Sequence, residues 1–463
     1  MGEKIFHNAL VLPVTGEKDW FHGWIAVGEA GTITGIGEGS PPAGAASYRD
    51  VGGAFLAPGF VSAHSHINAG GMRGVAPSSP LYEWVSLNGV MLTGSTADDT
   101  YWFALQGGLD HLSAGITSVY NFTQSRVALV FDYATSTQKG QRVHGPEFVT
   151  RQVDGLIDAG IRFISSVRLD DEQLGEDDAL AGFDAVMDYI DTVDNPLNLG
   201  GSIFGGVQWA SSPATAERER AAMDRYGITN QAHFVETFEQ LDIQRAKFDW
   251  YQESGCLRPG FVFGHFVHPT AEMVTAVRDS GTSIVWQPMS NGRLGSGVCA
   301  VPDYLRQNIT VGIGVDDQSC TDLTDPFENM RTGMFTQRAV HRDASILTPQ
   351  HMLALHTLGS AAAVGIDDKV GSLEVGKFAD FVIVDPNAPD LGPIWDPVAT
   401  YVLACGLRNL REVYVGGRPV WMHGVAQPRR AEADAQAYER MVAAAAQAGI
   451  QPVVPIGVPA VIG

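Results

Sequence analysis

The chain has 463 residues, with 30 Lys+Arg against 52 Asp+Glu for a formal net charge of −22, and it is 45% hydrophobic and 18% charged. That balance belongs to a globular protein with a large buried core, not to a disordered chain. The acid excess argues against nucleic acid and anionic lipid as partners, and no apolar run approaches the roughly 18 residues of a membrane span. A small molecule is the expected partner. The four cysteines (Cys256, Cys299, Cys320, Cys405) are scattered without a CxxC. Neither a disulfide framework nor a zinc knuckle is expected from them, and a reducing cytoplasm is the expected compartment. The opening MGEKIFHNALVLP is too short in apolar length for a secretion signal, and Gly2 lacks the context for myristoylation.

In chain order, residues 1–58 alternate apolar and polar positions between Gly-rich turns, as in ALVLPVTG and GWIAVGEAGTITGIGEG, which predicts a small antiparallel sheet. From Gly59 the texture changes. Short apolar segments at 59–66, 115–121, 161–168, 201–208, 228–234, 260–267, 282–287 and 310–316 alternate with amphipathic stretches such as EFVTRQVDGLIDAG and TAEMVTAVRDSG. The latter carry apolar residues at three- and four-residue spacing, and several end in Gly, as helices do. Eight such units predict a (β/α)8 barrel over 59–367. Hairpin-like strands return in KVGSLEVGKFADFVIVD and LREVYVGGRPVWMHG. They are expected to pair with the N-terminal ones, so that 1–58 plus 368–425 form one composite β-sandwich. Residues 426–463 read as an alanine-rich helix and a Pro/Val tail, either an oligomer contact or a loosely packed end.

A barrel collects its active site at the C-terminal ends of its strands. His64 and His66 close the first segment in GFVSAHSH; two apart on a strand, they share a face and can share an ion. His233 closes the fifth segment with Glu236 three residues on, His265 closes the sixth, and Asp316 closes the eighth. Each has a bland reading by itself: a lone HxH is often polar surface, a lone His is often core, and a lone Asp is often the cap of the next segment. The joint placement at strands one, five, six and eight is what points to a metal site. Three imidazoles and a carboxylate suit zinc first, with iron, cobalt or manganese as alternatives.

These pieces resemble the amidohydrolase superfamily, in its cytosine-deaminase-like and triazine-hydrolase branch, over almost the whole chain. The resemblance rests on APGFVSAHSH, MRG at 72–74 with Trp84 beyond it, HFVE, GH at 264–265, PMSNGRLGSG, GVDD and GSLEVGKFADFVIVD. It implies His64, His66, His233 and Asp316 as ligands of one divalent ion per chain. It further implies Glu236 as proton shuttle, His265 as the group polarising the electrophile, and Asp316 as a ligand that also helps take the proton of the attacking water. Binuclear relatives bridge two ions with a lysine on strand four, or with a Glu or Cys nearby. The segment GSIFGGVQ has none of these, in keeping with one ion. The expected reaction is hydrolysis of a non-peptide C–N or C–S bond, by a protein expected to be a homo-oligomer.

Two departures bear on the substrate. Where the branch carries a histidine after strand four, this chain has VQWASSPAT with Trp209. At strand seven it has IVWQPMSN, with Trp286 and Gln287. Either these tryptophans pack the barrel wall, or they line the pocket and favour apolar amides, ureas, carbamates or thiocarbamates, the class taken by the thiocarbamate and phenylurea hydrolases of the superfamily. Arg168 and Asn121, at the ends of strands three and two, complete the candidate substrate contacts. Deamination or dechlorination of a nitrogen heterocycle is the alternative reaction, and a non-catalytic binding barrel the alternative class.

Overall fold

The computed structural model describes residues 2–387 and 391–453. Eight parallel strands close into a barrel: β1 (Phe60–His66), β2 (Ile116–Phe122), β3 (Arg162–Val167), β4 (Asn198–Gly205), β5 (Thr229–Phe234), β6 (Phe261–His265), β7 (Ser283–Trp286) and β8. The last is split into Val311–Ile313, which pairs with β7, and Asp316–Asp317, which pairs with β1 and completes the circle. Each strand lies within a few residues of the segment its apolar pattern predicts. Parallel strands are buried on both faces, so they read as short continuous apolar runs with helical stretches between.

Strands from both ends of the chain form a second sheet of eight strands, with Phe55–Pro58 antiparallel to Phe381–Val384. Its hydrogen-bond ladder is continuous through all eight strands. Rings of Phe6, Phe381 and Tyr414 pack its core, with centroids 4.9 Å apart for the first pair and 4.5 Å for the second. Arg162, the first residue of β3, is buried against Asp380 of this sheet and joins the two bodies.

Two elements between barrel units were not legible as such. Helix α1 (Leu81–Leu92) precedes the amphipathic α2 (Ala97–Ser113), and a hairpin of Val127–Asp132 and Thr137–Val143 follows β2. The hairpin signal is present in retrospect, as alternation in VALVFD and TQKGQRV around a polar turn. The C-terminal helix (Pro428–Gln447) is docked on its own chain, against α1 and α2, and is not a loose end. The Pro/Val part of the tail, 454–463, lies outside the described residues. Among the described residues no helix is long and apolar enough to cross a membrane, and the four cysteines, all buried, form no disulfide.

Candidate active site

The strand ends deliver His64, His66, His233, His265 and Asp316 to one place. Ligand atoms of His64, His233 and His265 lie within 4.8 Å of one another, as do those of His64, His66 and Asp316. The Nε2 atoms of His66 and His233 are 3.1 Å apart, and Asp316 Oδ1 is 3.4 Å from His64 Nε2 and 3.8 Å from His66 Nε2. Room for the His64 ring comes from glycines on both sides. A Cβ at Gly264 would lie 2.9 Å from the ring, and one at Gly314 would lie 2.5 Å from the His64 Cβ. The strand ends also leave the usual backbone regions: Val235, His265 and Asp316 have φ of 44°, 66° and 65°. Left-handed φ at non-glycine residues is costly and concentrates where a site must aim its side chains.

These residues fit a divalent ion on the chemistry of their donors. Gln231 Oε1, an acceptor, takes the Nδ1 hydrogen of His64 at 2.6 Å and so leaves the Nε2 lone pair inward. That Nε2 is buried and has no hydrogen-bond partner, which an apolar or fully paired core would not tolerate. Phe122 stacks on the His66 ring at 4.9 Å and fixes its plane. Burial holds His66 and His265 neutral, each pushed down to about 3, and puts His233 well below its ordinary value. Burial also works against charge on Asp316, but His64, His265 and His66 around it prevail and hold its carboxyl well below the usual range. Neutral imidazoles beside one carboxylate are the state in which such side chains bind metal.

Glu236 lies 3.5 Å from His265 Nδ1, and its Oε1 has no hydrogen-bond partner. Burial first, then the charges of Asp316 and Glu239, push its carboxyl well above the usual carboxylate range, which favours its protonated form. Asn291 Nδ2 donates to His265 Nδ1 at 2.8 Å, which leaves the His265 Nε2 hydrogen pointing into the site, 3.6 Å from Asp316 Oδ2. Asn291 lies in the PMSNGRLGSG stretch, but nothing in that stretch assigned it a role.

A cavity of about 190 Å³ opens from His66, His233, Glu236, His265 and Asp316. Its far walls combine apolar side chains (Leu81, Trp84 and Leu92 from α1, Val127 and Leu129 from the hairpin, and Leu294) with the polar Asn88, Gln124, Ser125 and Gln138. Trp209 lines it and packs on Tyr82, with ring centroids 5.5 Å apart. Arg168 also lines it, held by Gln138 Oε1 at 2.7 Å and Glu172 Oε1 at 3.3 Å. Three other expected contacts do not reach the cavity. Trp286 points outward, its ring beside Gly333 of the helix Pro326–His341, because on β7 it is Val285 that faces the barrel interior. Gln287 lies behind the site and accepts the backbone N–H of His265 at 2.9 Å. Asn121 accepts the backbone N–H of Ile67 at 3.3 Å and so orients the loop after β1. Asp317 lines the cavity too, its Oδ1 taken by the Ser319 hydroxyl at 2.8 Å.

A barrel whose strand ends converge four imidazoles, an aspartate and a buried glutamate has the donor set and proton carrier of a metal-dependent hydrolase. The chain belongs to the Amidohydrolase family, whose profile matches residues 55–420. It is 27% identical over 429 residues to a 5-methylthioadenosine/S-adenosylhomocysteine deaminase of Desulforudis audaxviator, covering 90% of this chain and 93% of that one. It is 34% identical over 208 residues to an S-triazine hydrolase of Gordonia rubripertincta, covering 44% and 43%. Among solved structures it is similar to an adenosine deaminase from Xanthomonas campestris with bound zinc, at a TM-score of 0.79 and 23% identity, covering 95% and 98%. The protein is thus a metal-dependent hydrolase acting on carbon–nitrogen bonds other than peptide bonds.

Proposed function

We propose that this enzyme hydrolyses a small apolar amide, urea, carbamate or thiocarbamate, with one divalent ion, zinc first, held by His64, His66, His233 and Asp316. The observation that supports it is the cavity lining. Away from the ligand end, Leu81, Trp84, Leu92, Trp209 and Leu294 line it beside neutral polar side chains and Arg168, and its carboxylates (Glu236, Asp316, Asp317) all cluster at that end. A ribose diol would find no carboxylate among the residues of the far wall. An ion bound there would polarise the scissile group and lower the pKa of a bound water toward neutrality. Around it, Asp316 is the anionic group placed to take a proton from the attacking water. His265 directs its Nε2 hydrogen to the oxygen or nitrogen that gains charge. Glu236 carries the proton that the departing amine or thiol needs, since an unprotonated amine leaves poorly. Trp84, Trp209 and Leu294 exclude water and seat apolar substituents.

A second reading is displacement on a nitrogen heterocycle, which the similarity of 208 residues to an S-triazine hydrolase favours. The two part on the leaving group. A panel of an N-aryl urea, an S-alkyl thiocarbamate, a chloro-triazine and 5′-methylthioadenosine, assayed for larger amine, thiol, chloride and ammonia, separates them. Turnover of the last two alone would overturn the first reading. Glu236→Gln keeps shape but carries no proton; it should retain zinc and lose at least ~10²-fold in kcat on whichever compound is cleaved. Loss of zinc in that variant would move Glu236 from proton carrier to ligand.

A further inference from the structure

The C-terminal helix lies beyond the matched segment 55–420, yet it touches the elements that shape the cavity. Asp110 on α2 sits at the junction. Its carboxylate accepts from Arg73 in the loop after β1. It also accepts from Gln318 Nε2 and Thr324 Oγ1 in the loop after β8, each at 2.7 Å, and from Arg430 Nη2 of the C-terminal helix at 2.7 Å. One carboxylate thereby ties the loops after β1 and β8, two of the three ligand-bearing strands, to the last helix. This gives the MRG stretch a role, since Arg73 is its arginine. Asp322 adds a second tie between the same loops, accepting from Gly74 N at 2.6 Å, and also accepts from Arg293 Nε, on the helix after β7, at 3.1 Å.

Further along, Ala437, Met441 and Ala445 pack with Met72, Met91, Leu92 and Phe103. Leu92 also lines the cavity, so the same α1 residue faces the last helix and the site. The approach is close. A Cβ at Gly94 would lie 2.9 Å from Ala444 O, and one at Gly71 would lie 3.0 Å from the Met441 Cβ. Arg440 Nη1 reaches Asp99 at 2.7 Å, at the first turn of α2. Helix α1 has little of its own to hold it: 12 residues, Pro80 at its N-cap with no side-chain cap bond, and no basic residue in its last turn. A helix of that length is marginal alone, and what packs against it decides where it lies.

We propose that Arg430 and Met441 are positioning residues for substrate binding: the C-terminal helix clamps α1 against the loops after β1 and β8 and so sets the width of the cavity. This rests on the cavity being the substrate site. The test uses full-length, zinc-loaded Arg430→Ala, Met441→Ala and Arg430→Lys. Amide hydrogen exchange should speed up about threefold or more across 81–92 in the two alanine variants, with barrel-strand peptides and zinc content at wild-type levels. KM for an N-aryl urea or 5′-methylthioadenosine should rise about fivefold with kcat within about twofold, and Arg430→Lys should recover part of the loss. Wild-type exchange over 81–92 in both alanine variants would overturn the proposal. So would exchange that speeds up equally through the barrel strands, which is a general loss of stability. If the wild type cleaves neither compound, the substrate reading falls, while the exchange result still decides the role of the clamp.

Discussion

Where the third barrel strand begins, buried charge is paired. Arg162 gives Nε and Nη2 to Asp380 at 2.5 and 3.1 Å and Nη1 to Pro196 O at 2.7 Å, and Asp380 Oδ1 also takes the Gly416 N–H at 2.7 Å. Where the strands end, His64 Nε2, His233 Nδ1 and Glu236 Oε1 are buried without partners, and His265 and Asp316 have left-handed backbone. Both ends bury charge, with opposite consequences. A satisfied network at the lower end resists change and holds the terminal sheet to the barrel. Unsatisfied polar atoms at the upper end are tolerable because a ligand completes them.

Substitutions at the two ends should therefore separate activity from stability. The largest effect is expected for Asp316→Ala, or His233→Ala. Each should release the ion and bring turnover to background, while the melting temperature of the metal-free variant stays near that of metal-free wild type. Elemental analysis with calorimetry reads both quantities, and an active metal-free enzyme would break the assignment of the upper end. Next is Arg162→Met, which leaves Asp380 charged and buried. A loss of about 3–5 kcal/mol is expected, the usual scale for breaking one side of a buried pair. Denaturant unfolding measures it, and kcat/KM of the folded fraction should not change. A catalytic defect without a stability loss would show that the two ends are coupled. The smallest effect is expected at Trp209, which belongs to the upper end but not to the ligand set. Trp209→His should lower kcat/KM for apolar ureas or carbamates by about tenfold, roughly 1.4 kcal/mol, with polar substrates little affected. A large stability loss with unchanged kinetics would make the ring wall packing, as that of Trp286 is.

The convergence of His64, His66, His233, His265 and Asp316 was legible in the sequence because it depends on local periodicity. The pair His64/His66 shares a face through the two-residue repeat of a strand, and the other donors stand where apolar runs stop, so finding the strands found the site. The two tryptophans show the limit of that logic. Both follow an apolar run and look equivalent in sequence. Trp209 sits in the short 3-10 turn Val207–Trp209 beyond β4 and reaches the cavity, whereas Trp286 is the last strand residue of β7 and takes the outward side of the pleat. Trp209 lies beyond the pleat altogether, whereas the side Trp286 takes follows a pleat register that neighbouring strands set.

The cavity walls were further from reach. Helix α1 and the hairpin 127–143 line the cavity and the C-terminal helix packs on α1 from far along the chain, and apart from Trp84 nothing in their sequences marks a part in the site. Asp110 illustrates why. In sequence it is one acid on an amphipathic helix, and only the meeting of loop residues 73, 318 and 324 with Arg430 of the C-terminal helix makes it a junction. Sequence alone determined the barrel, the ligand-bearing strand ends and the chemistry of their donors, because periodicity and residue type act over a few positions. Tertiary structure decided which side chains face the substrate and what holds them there, because contacts between distant segments depend on how those segments pack.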